Sequence, residues 1–74
     1  MDNIKFASGE EFEIITPDYK NNRCVVLRQM PIDTRLTGLT GRAKQKAWLT
    51  TDTGTEEIYA YVTNANTDEI AVMH

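Results

Sequence analysis

The segment NIKFASGEEFEII, Asn3–Ile15, decides the fold class of this chain. Apolar and polar residues alternate on both sides of ASGE, Ala7–Glu10, a pattern typical of two β-strands joined by a tight turn. A three-residue turn with Gly9 as the bulge residue places Ile4 opposite Phe12 and collects the apolar side chains on one face. The segment therefore predicts an antiparallel hairpin with one face turned toward a core.

The charged positions of this hairpin support the same register. It places Lys5 opposite Glu11, which predicts a cross-strand ion pair on the polar face. A two-residue loop would instead place Lys5 opposite Phe12, and each face would then mix apolar and charged side chains. Because a slip of one residue would bury a charge, we expect the register with the three-residue turn.

The composition of the remaining chain also favours strands, with ten threonines, six isoleucines and four valines. TPDYKNN, residues 16–22, predicts a loop. RCVVLRQM, residues 23–30, predicts a third strand that ends before Pro31 and is buried on both faces of its CVVL run. EIAVMH, residues 69–74, predicts a last strand after a turn at residues 64–68.

The segment TGLTGRAKQKAWL, residues 37–49, is ambiguous, because RAKQKAWL consists mostly of good helix formers. The following TTDTGTEEIYAYVT, residues 50–63, favours a hairpin with DTG at the turn. We expect a strand from about Gln45, with a short helical turn near Arg42 as an addition. Placing Asp52 opposite Thr55 sorts aliphatic and aromatic side chains to opposite faces, with the pairs Leu49–Ile58, Trp48–Tyr59 and Lys46–Tyr61.

These signals predict one all-β domain over residues 1–74, a five- to six-stranded antiparallel barrel or sandwich of SH3-like or OB-like size. Cys24 is the only cysteine and His74 the only histidine, so we expect no disulfide, metal or cofactor. A hydrophobic core this small gives only marginal folding stability, which favours homo-oligomerisation or partner binding. The single cysteine and the lack of a long apolar stretch predict a cytoplasmic protein without membrane association.

A basic run in an acidic chain indicates where a site would lie. The net charge is −3, yet residues 34–51 carry four bases and no acid, while residues 52–74 carry five acids and no base. Aromatic side chains next to bases suit stacking on nucleobases or contact with a protein. The alternative is that the aromatic side chains belong to the core. The candidate binding residues are Arg35, Arg42, Lys44, Lys46, Trp48, Tyr59 and Tyr61.

GLTGR, residues 38–42, is similar to the G-x-x-G loop with which KH domains hold a nucleic-acid backbone. KH loops join two helices, however, and no helix is predicted before Gly38. The preferred interpretation is a flexible connection that contains Gly38 and Gly41.

Nothing in the sequence combines a nucleophile with a base. Glu11 and Glu13 fall on the solvated face of a strand, and Cys24 lies in an apolar run, as a buried and inert thiol would. We therefore expect that the protein is not an enzyme.

IKFASGEEFEI, residues 4–14, resembles the strand–glycine turn–strand opening of small accessory proteins of bacteriophages and prophages. The resemblance implies a protein that acts in the host cytoplasm by binding a host or virion protein, for example to inhibit a defence protein. It assigns no site residues.

Three functions follow as hypotheses. The leading one is a non-enzymatic, homo-oligomeric protein-binding module whose partner carries an acidic patch. The second is a small nucleic-acid-binding barrel that uses the basic residues 35–46 and Trp48. The third is binding of a small ligand at a subunit interface.

Overall fold

In the computed structural model, which describes residues 1–74, six antiparallel strands close into a barrel. The order of strands around the barrel is β1-β2-β3-β6-β5-β4, and β4 returns to pair with β1. This confirms the predicted fold class. The strands are β1 (Asn3–Phe6), β2 (Glu11–Asp18), β3 (Arg23–Val26), β4 (Gln45–Thr51), β5 (Gly54–Asn64) and β6 (Glu69–Met73).

The first hairpin has the predicted register, with Ile4 opposite Phe12 and Lys5 opposite Glu11. Gly9 has a φ of +109°, which a residue with a Cβ rarely adopts, so the glycine is required at this bulge position. The predicted ion pair was wrong, because no salt bridge joins Lys5 to Glu11. Solvent-exposed pairs of this kind gain little over hydration of the separate charges.

The second and third strands differ from their predicted bounds. β2 continues through Pro17 to Asp18, with a bulge at Ile15, and a single turn of 3-10 helix follows at Tyr19–Asn21. β3 ends at Val26, four residues before the predicted end. Its CVVL run was predicted to be buried on both faces, but it is buried on one face only. Cys24 and Val26 are buried, whereas Val25 is half-buried and Leu27 is exposed. The reason is that the outer face of a barrel strand meets solvent.

A short helix, α1 (Thr34–Leu39), occupies the segment that was predicted to be an irregular connection. Asp33 caps its N-terminus by accepting a hydrogen bond from the backbone N–H of Arg35 at 3.1 Å. Leu36 and Leu39 are buried and close one end of the barrel. The helical turn lies before Arg42 rather than at it, since Gly41 has a φ of +80° after the helix has ended.

The β4–β5 hairpin has the predicted faces in a register shifted by two residues. Thr51 pairs with Gly54, so Asp52 and Thr53 form the turn, and Trp48 lies opposite Glu57 rather than Tyr59. A hydrogen bond of 3.0 Å between the Thr50 and Thr55 hydroxyls joins the strands beside this turn. Because side chains alternate between faces with a period of two, the shift leaves the sorting of aliphatic and aromatic side chains intact.

The barrel interior is filled by aliphatic side chains and two phenylalanines. The rings of Phe6 and Phe12 meet edge to face with centroids 6.0 Å apart. No helix in the chain has the length and apolarity to cross a membrane. The largest fully buried side chains are Phe6, Phe12, Ile4, Leu36, Leu49, Ile58, Ile70, Val26, Val72 and Cys24.

Candidate binding surface

Two aromatic side chains point outward from adjacent strands. Ala47 and Leu49 of β4 and the alternating aliphatic residues of β5 enter the core, which turns Trp48 and Tyr59 toward solvent. Trp48 is 37% exposed and Tyr59 is 44% exposed. We call this surface the aromatic face, and it comprises Lys5, Lys46, Trp48, Glu57 and Tyr59.

Charged side chains surround the two rings. Trp48 lies between Lys5 of β1 and Glu57 of β5 in the strand register. Lys46 lies opposite Tyr59, and its Nζ atom is 3.4 Å from Glu57 Oε1. Lys5 forms no ion pair, so it is the cation on this face that remains available to a binding partner.

Tyr61 lies two residues beyond Tyr59 on the same outer side of β5, but its surroundings differ. It is half-buried and pairs with Ala71 of β6, whereas Tyr59 pairs with Met73. Tyr61 therefore extends the aromatic face along β5 with a smaller accessible surface.

Arg35 lies away from the aromatic face and is held by the fold. Its Nε and Nη2 atoms donate to the two carboxylate oxygens of Asp33 at 3.0 and 2.6 Å. Its Nη1 atom donates to the carbonyl of Glu11 at 2.8 Å, and the guanidinium lies 4.5 Å from the centroid of the Phe12 ring. Because three guanidinium N–H groups of Arg35 donate inside the chain, this side chain has a structural role, and we leave it out of the binding surface.

Arg42 and Lys44 are exposed and precede β4. Arg42 lies near the β1–β2 turn, where its charge helps to lower the pKa of Glu10, after the larger effect of the Ser8 hydroxyl. Neither base forms an ion pair. The basic run is therefore divided, since Arg35 stabilises the helix cap while Arg42 and Lys44 stay accessible beside β4.

The two glycines expected in one flexible loop have different environments. Gly38 lies within α1, and Gly41 follows the helix with a positive φ. The interpretation as a single loop was wrong, because the helix extends to Leu39. The G-x-x-G spacing here spans a helix end and does not form a loop between two helices.

The other candidate residues do not assemble into a reactive group. Cys24 is fully buried, and burial, with a smaller effect of Glu69, raises the pKa of its thiol to about 12. His74 is paired with Glu56 at 2.8 Å. No three His, Cys, Asp or Glu side chains converge in a manner that could hold a metal ion.

The largest groove has a volume of about 300 Å³ and lies on the outer side of β2, β3 and β6. Its central cation, Arg23, donates from Nε to Asp18 at 2.9 Å and lies 4.0 Å from Glu69. These internal ion pairs already neutralise the charges that a small polar ligand would use. The lining residues are Thr16, Asp18, Arg23, Cys24, Val25 and Glu69.

Several features of the surface were not predicted from the sequence. Ile15 on β2 is 52% exposed, and Leu27, just beyond β3, is 38% exposed. Met30 and Ile32 are exposed in the connection that follows. Arg28 holds this connection against the β5–β6 turn by donating to Asp68, Pro31, Ala65 and Asn66. The bulge that turns Ile15 outward depends on β2–β3 pairing, which local sequence patterns do not fix.

Comparison with known proteins adds no assignment: no family model, curated protein or solved structure matches this chain.

Proposed function

We propose that this protein is a non-enzymatic protein-binding module and that the aromatic face contacts its partner. The observation that carries the proposal is the outward position of Trp48 and Tyr59 on adjacent strands. Tryptophan and tyrosine often dominate the binding energy of protein interfaces, because they bury a large area with few rotatable bonds. Contiguous apolar surface with a polar rim often marks a protein interaction site.

The charges near the aromatic face favour an acidic partner. Lys5 adjoins Trp48, and Lys44 and Arg42 precede the same strand without internal ion pairs. Such charges increase the rate of association more than the affinity, since exposed ion pairs are worth little. Most of the affinity is therefore assigned to the two rings.

The resemblance of residues 4–14 to phage accessory proteins extends the proposal to a biological setting. In that setting the module acts in the cytoplasm of a bacterial host and binds a host or virion protein, and a defence protein that it inhibits is one such partner. Self-association of the small barrel is part of the same proposal, because burial at an interface would supplement a small core.

Nucleic-acid binding is the alternative that the bases beside Trp48 favour. Glu57 counts against it, because this carboxylate is the register partner of Trp48 in the middle of the face. Contact with three phosphates would give a slope of about −2 for the logarithm of affinity against that of salt concentration. A steep slope with a single-stranded oligonucleotide would favour this alternative. Small-ligand binding at a subunit interface is a third candidate.

The first test is Trp48→Ala in a quantitative binding assay with the protein captured from host lysate. We expect affinity to fall about 30-fold, which corresponds to about 2 kcal/mol. Ile32→Ala is the matched control, because it truncates a side chain that is 73% exposed and lies beside Arg28 and Asn66, outside the aromatic face. Equal binding by wild type and Trp48→Ala would contradict the proposal.

The second test separates the role of the charges from that of the rings. Replacing Arg42 and Lys44 by Glu should mainly reduce the association rate, with a larger effect at low salt. Lys20→Glu is the matched control for each single reversal, since it changes the net charge equally and Lys20 is an exposed base in the 3-10 turn at the far end of β2. A change confined to the dissociation rate would refute the steering role.

A further inference from the structure

A second apolar surface lies on the outer side of β2 and β3. Ile15 projects at the bulge of β2, Val25 alternates outward on β3, and Leu27 donates its backbone N–H to the carbonyl of Glu13 at 2.8 Å. We call Ile15, Val25 and Leu27, together with Glu11 and Glu13, the aliphatic face. Its centre is apolar, and its carboxylates lie along β2.

The carboxylates of the aliphatic face differ from the others in the chain. Of the 11 acidic side chains, eight contact another side chain through an ion pair or a hydrogen bond, and Asp52 contacts the N-terminal ammonium group. Glu11 and Glu13 have no such contact. The two carboxylates without an ion pair or a side-chain hydrogen bond therefore both lie on the strand that carries the exposed Ile15.

The apolar centres of the two faces lie on opposite sides of the barrel, although the faces adjoin at β1–β2, where Lys5 and Glu11 are register partners. The β2–β3 pair and the β5–β4 pair are three positions apart in the six-strand ring. Each face has an apolar centre, but the unpaired charges are of opposite sign. Glu11 and Glu13 belong to the aliphatic face, whereas Lys5 and Lys44 lie on or beside the aromatic face.

We propose that the protein self-associates head to tail, with the aliphatic face of one copy docked on the aromatic face of the next. This pairing brings unpaired carboxylates against unpaired ammonium groups and covers both apolar centres. The inference rests on the proposed function, because it assigns a second copy of this chain as one partner of the aromatic face.

Pairing of like faces is disfavoured by the same charges. Two aliphatic faces would bring four carboxylates without internal partners together. The nearby unpaired cations lie outside this face, because Lys5 is at its edge on β1 and Lys20 is beyond the other end of β2. Like charges placed together across an interface destabilise it. A contact between two different faces leaves one face of each end copy unoccupied. The expected product is therefore an open chain of copies, or a ring if the rotation between copies brings the two ends together.

Sedimentation over a range of concentrations tests this arrangement with two variants. Ile15→Lys disrupts the aliphatic face and Trp48→Ala the aromatic face, and both positions are exposed, so the barrel should persist. Wild-type protein should grow beyond a dimer as concentration rises, while each variant alone should stay monomeric. An equimolar mixture should form a 1:1 dimer that grows no further, because each variant retains one complementary face.

A wild type that is monomeric at all concentrations, or a mixture that stays monomeric, would overturn the inference. A wild type that stops at a dimer and is disrupted by only one of the variants would also overturn it, in favour of pairing between like faces. Circular dichroism verifies folding, and Ile15→Thr and Tyr59→Ser replace any variant that unfolds. Ile15→Lys should still bind the foreign partner, so failure of self-association is distinguishable from failure of the proposed function.

Discussion

Replacement of Asp33 by Ala should destabilise the barrel more than most single substitutions. The Asp33 side chain is 4% exposed and joins the N-terminus of α1 to Arg35, which in turn reaches the carbonyl of Glu11 and the ring of Phe12. Loss of the helix cap costs about 1 kcal/mol. Loss of the charge-assisted bonds adds about 2 kcal/mol, a value near the low end because the Arg35 side chain is 32% exposed and regains water.

The expected total is therefore about 3 kcal/mol, a large share of the stability of a small domain. Urea denaturation followed by circular dichroism measures it, and the melting temperature should fall by about 15 °C. Asp33→Asn is the matched control, because Asn caps a helix about as well as Asp. It should lose only the ion-pair part, about 2 kcal/mol. A loss below about 0.5 kcal/mol for Asp33→Ala would refute the role assigned to this residue.

The pH dependence gives an independent check on the same pair. The side-chain hydrogen bond from Arg35 holds the pKa of Asp33 below its usual value of 3.8, against the opposing effect of burial. A carboxyl with a lowered folded-state pKa contributes stability above its unfolded pKa, and this contribution disappears as the pH falls through the folded pKa. The advantage of wild type over Asp33→Asn should thus be full above about pH 5 and shrink below about pH 4.

Three further substitutions test the fold and the site. Gly9→Val should cost about 1–3 kcal/mol, because a β-branched residue is strained at a φ of +109°; an unchanged urea midpoint would contradict the bulged turn. Cys24 should resist thiol reagents in native protein, and Cys24→Ala should cost about 1 kcal/mol in the same unfolding assay; rapid labelling would argue against burial. Trp48→Ala should change the unfolding free energy by less than about 1 kcal/mol, and a larger loss would place the ring in the core.

Patterns with a short range along the chain predicted much of this structure. The alternation around Gly9 fixes the β1–β2 register, since only one turn length keeps charges off the core face. A similar alternation in the segments of β4 and β5 assigned Trp48 and Tyr59 to the face opposite the aliphatic residues. The two-residue error in the β4–β5 register did not affect this assignment, because it preserved the period of two.

Features that depend on contacts across the barrel were not predictable from local patterns. Six residues that include Gly38 are too few to form a stable helix alone, and α1 depends on burial of Leu36 and Leu39 at the barrel end. The Asp33 cap three residues before Leu36 was a signal that could have indicated it. The aliphatic face depends on the bulge at Ile15 and on the early end of β3, both set by pairing between strands.

The quenching of Trp48 fluorescence by acrylamide tests the central claim most directly, because Trp48 is the only tryptophan in the chain. In dilute native protein, the outward position of the ring on β4 predicts ready quenching. Addition of the captured partner should reduce the quenching constant several-fold as the ring becomes covered, while Ile32→Ala should respond as wild type does. Two results would contradict the assignment of the aromatic face as the binding surface. One is a Trp48 ring that is shielded from acrylamide in the dilute native protein, and the other is a ring that is equally accessible with and without saturating partner.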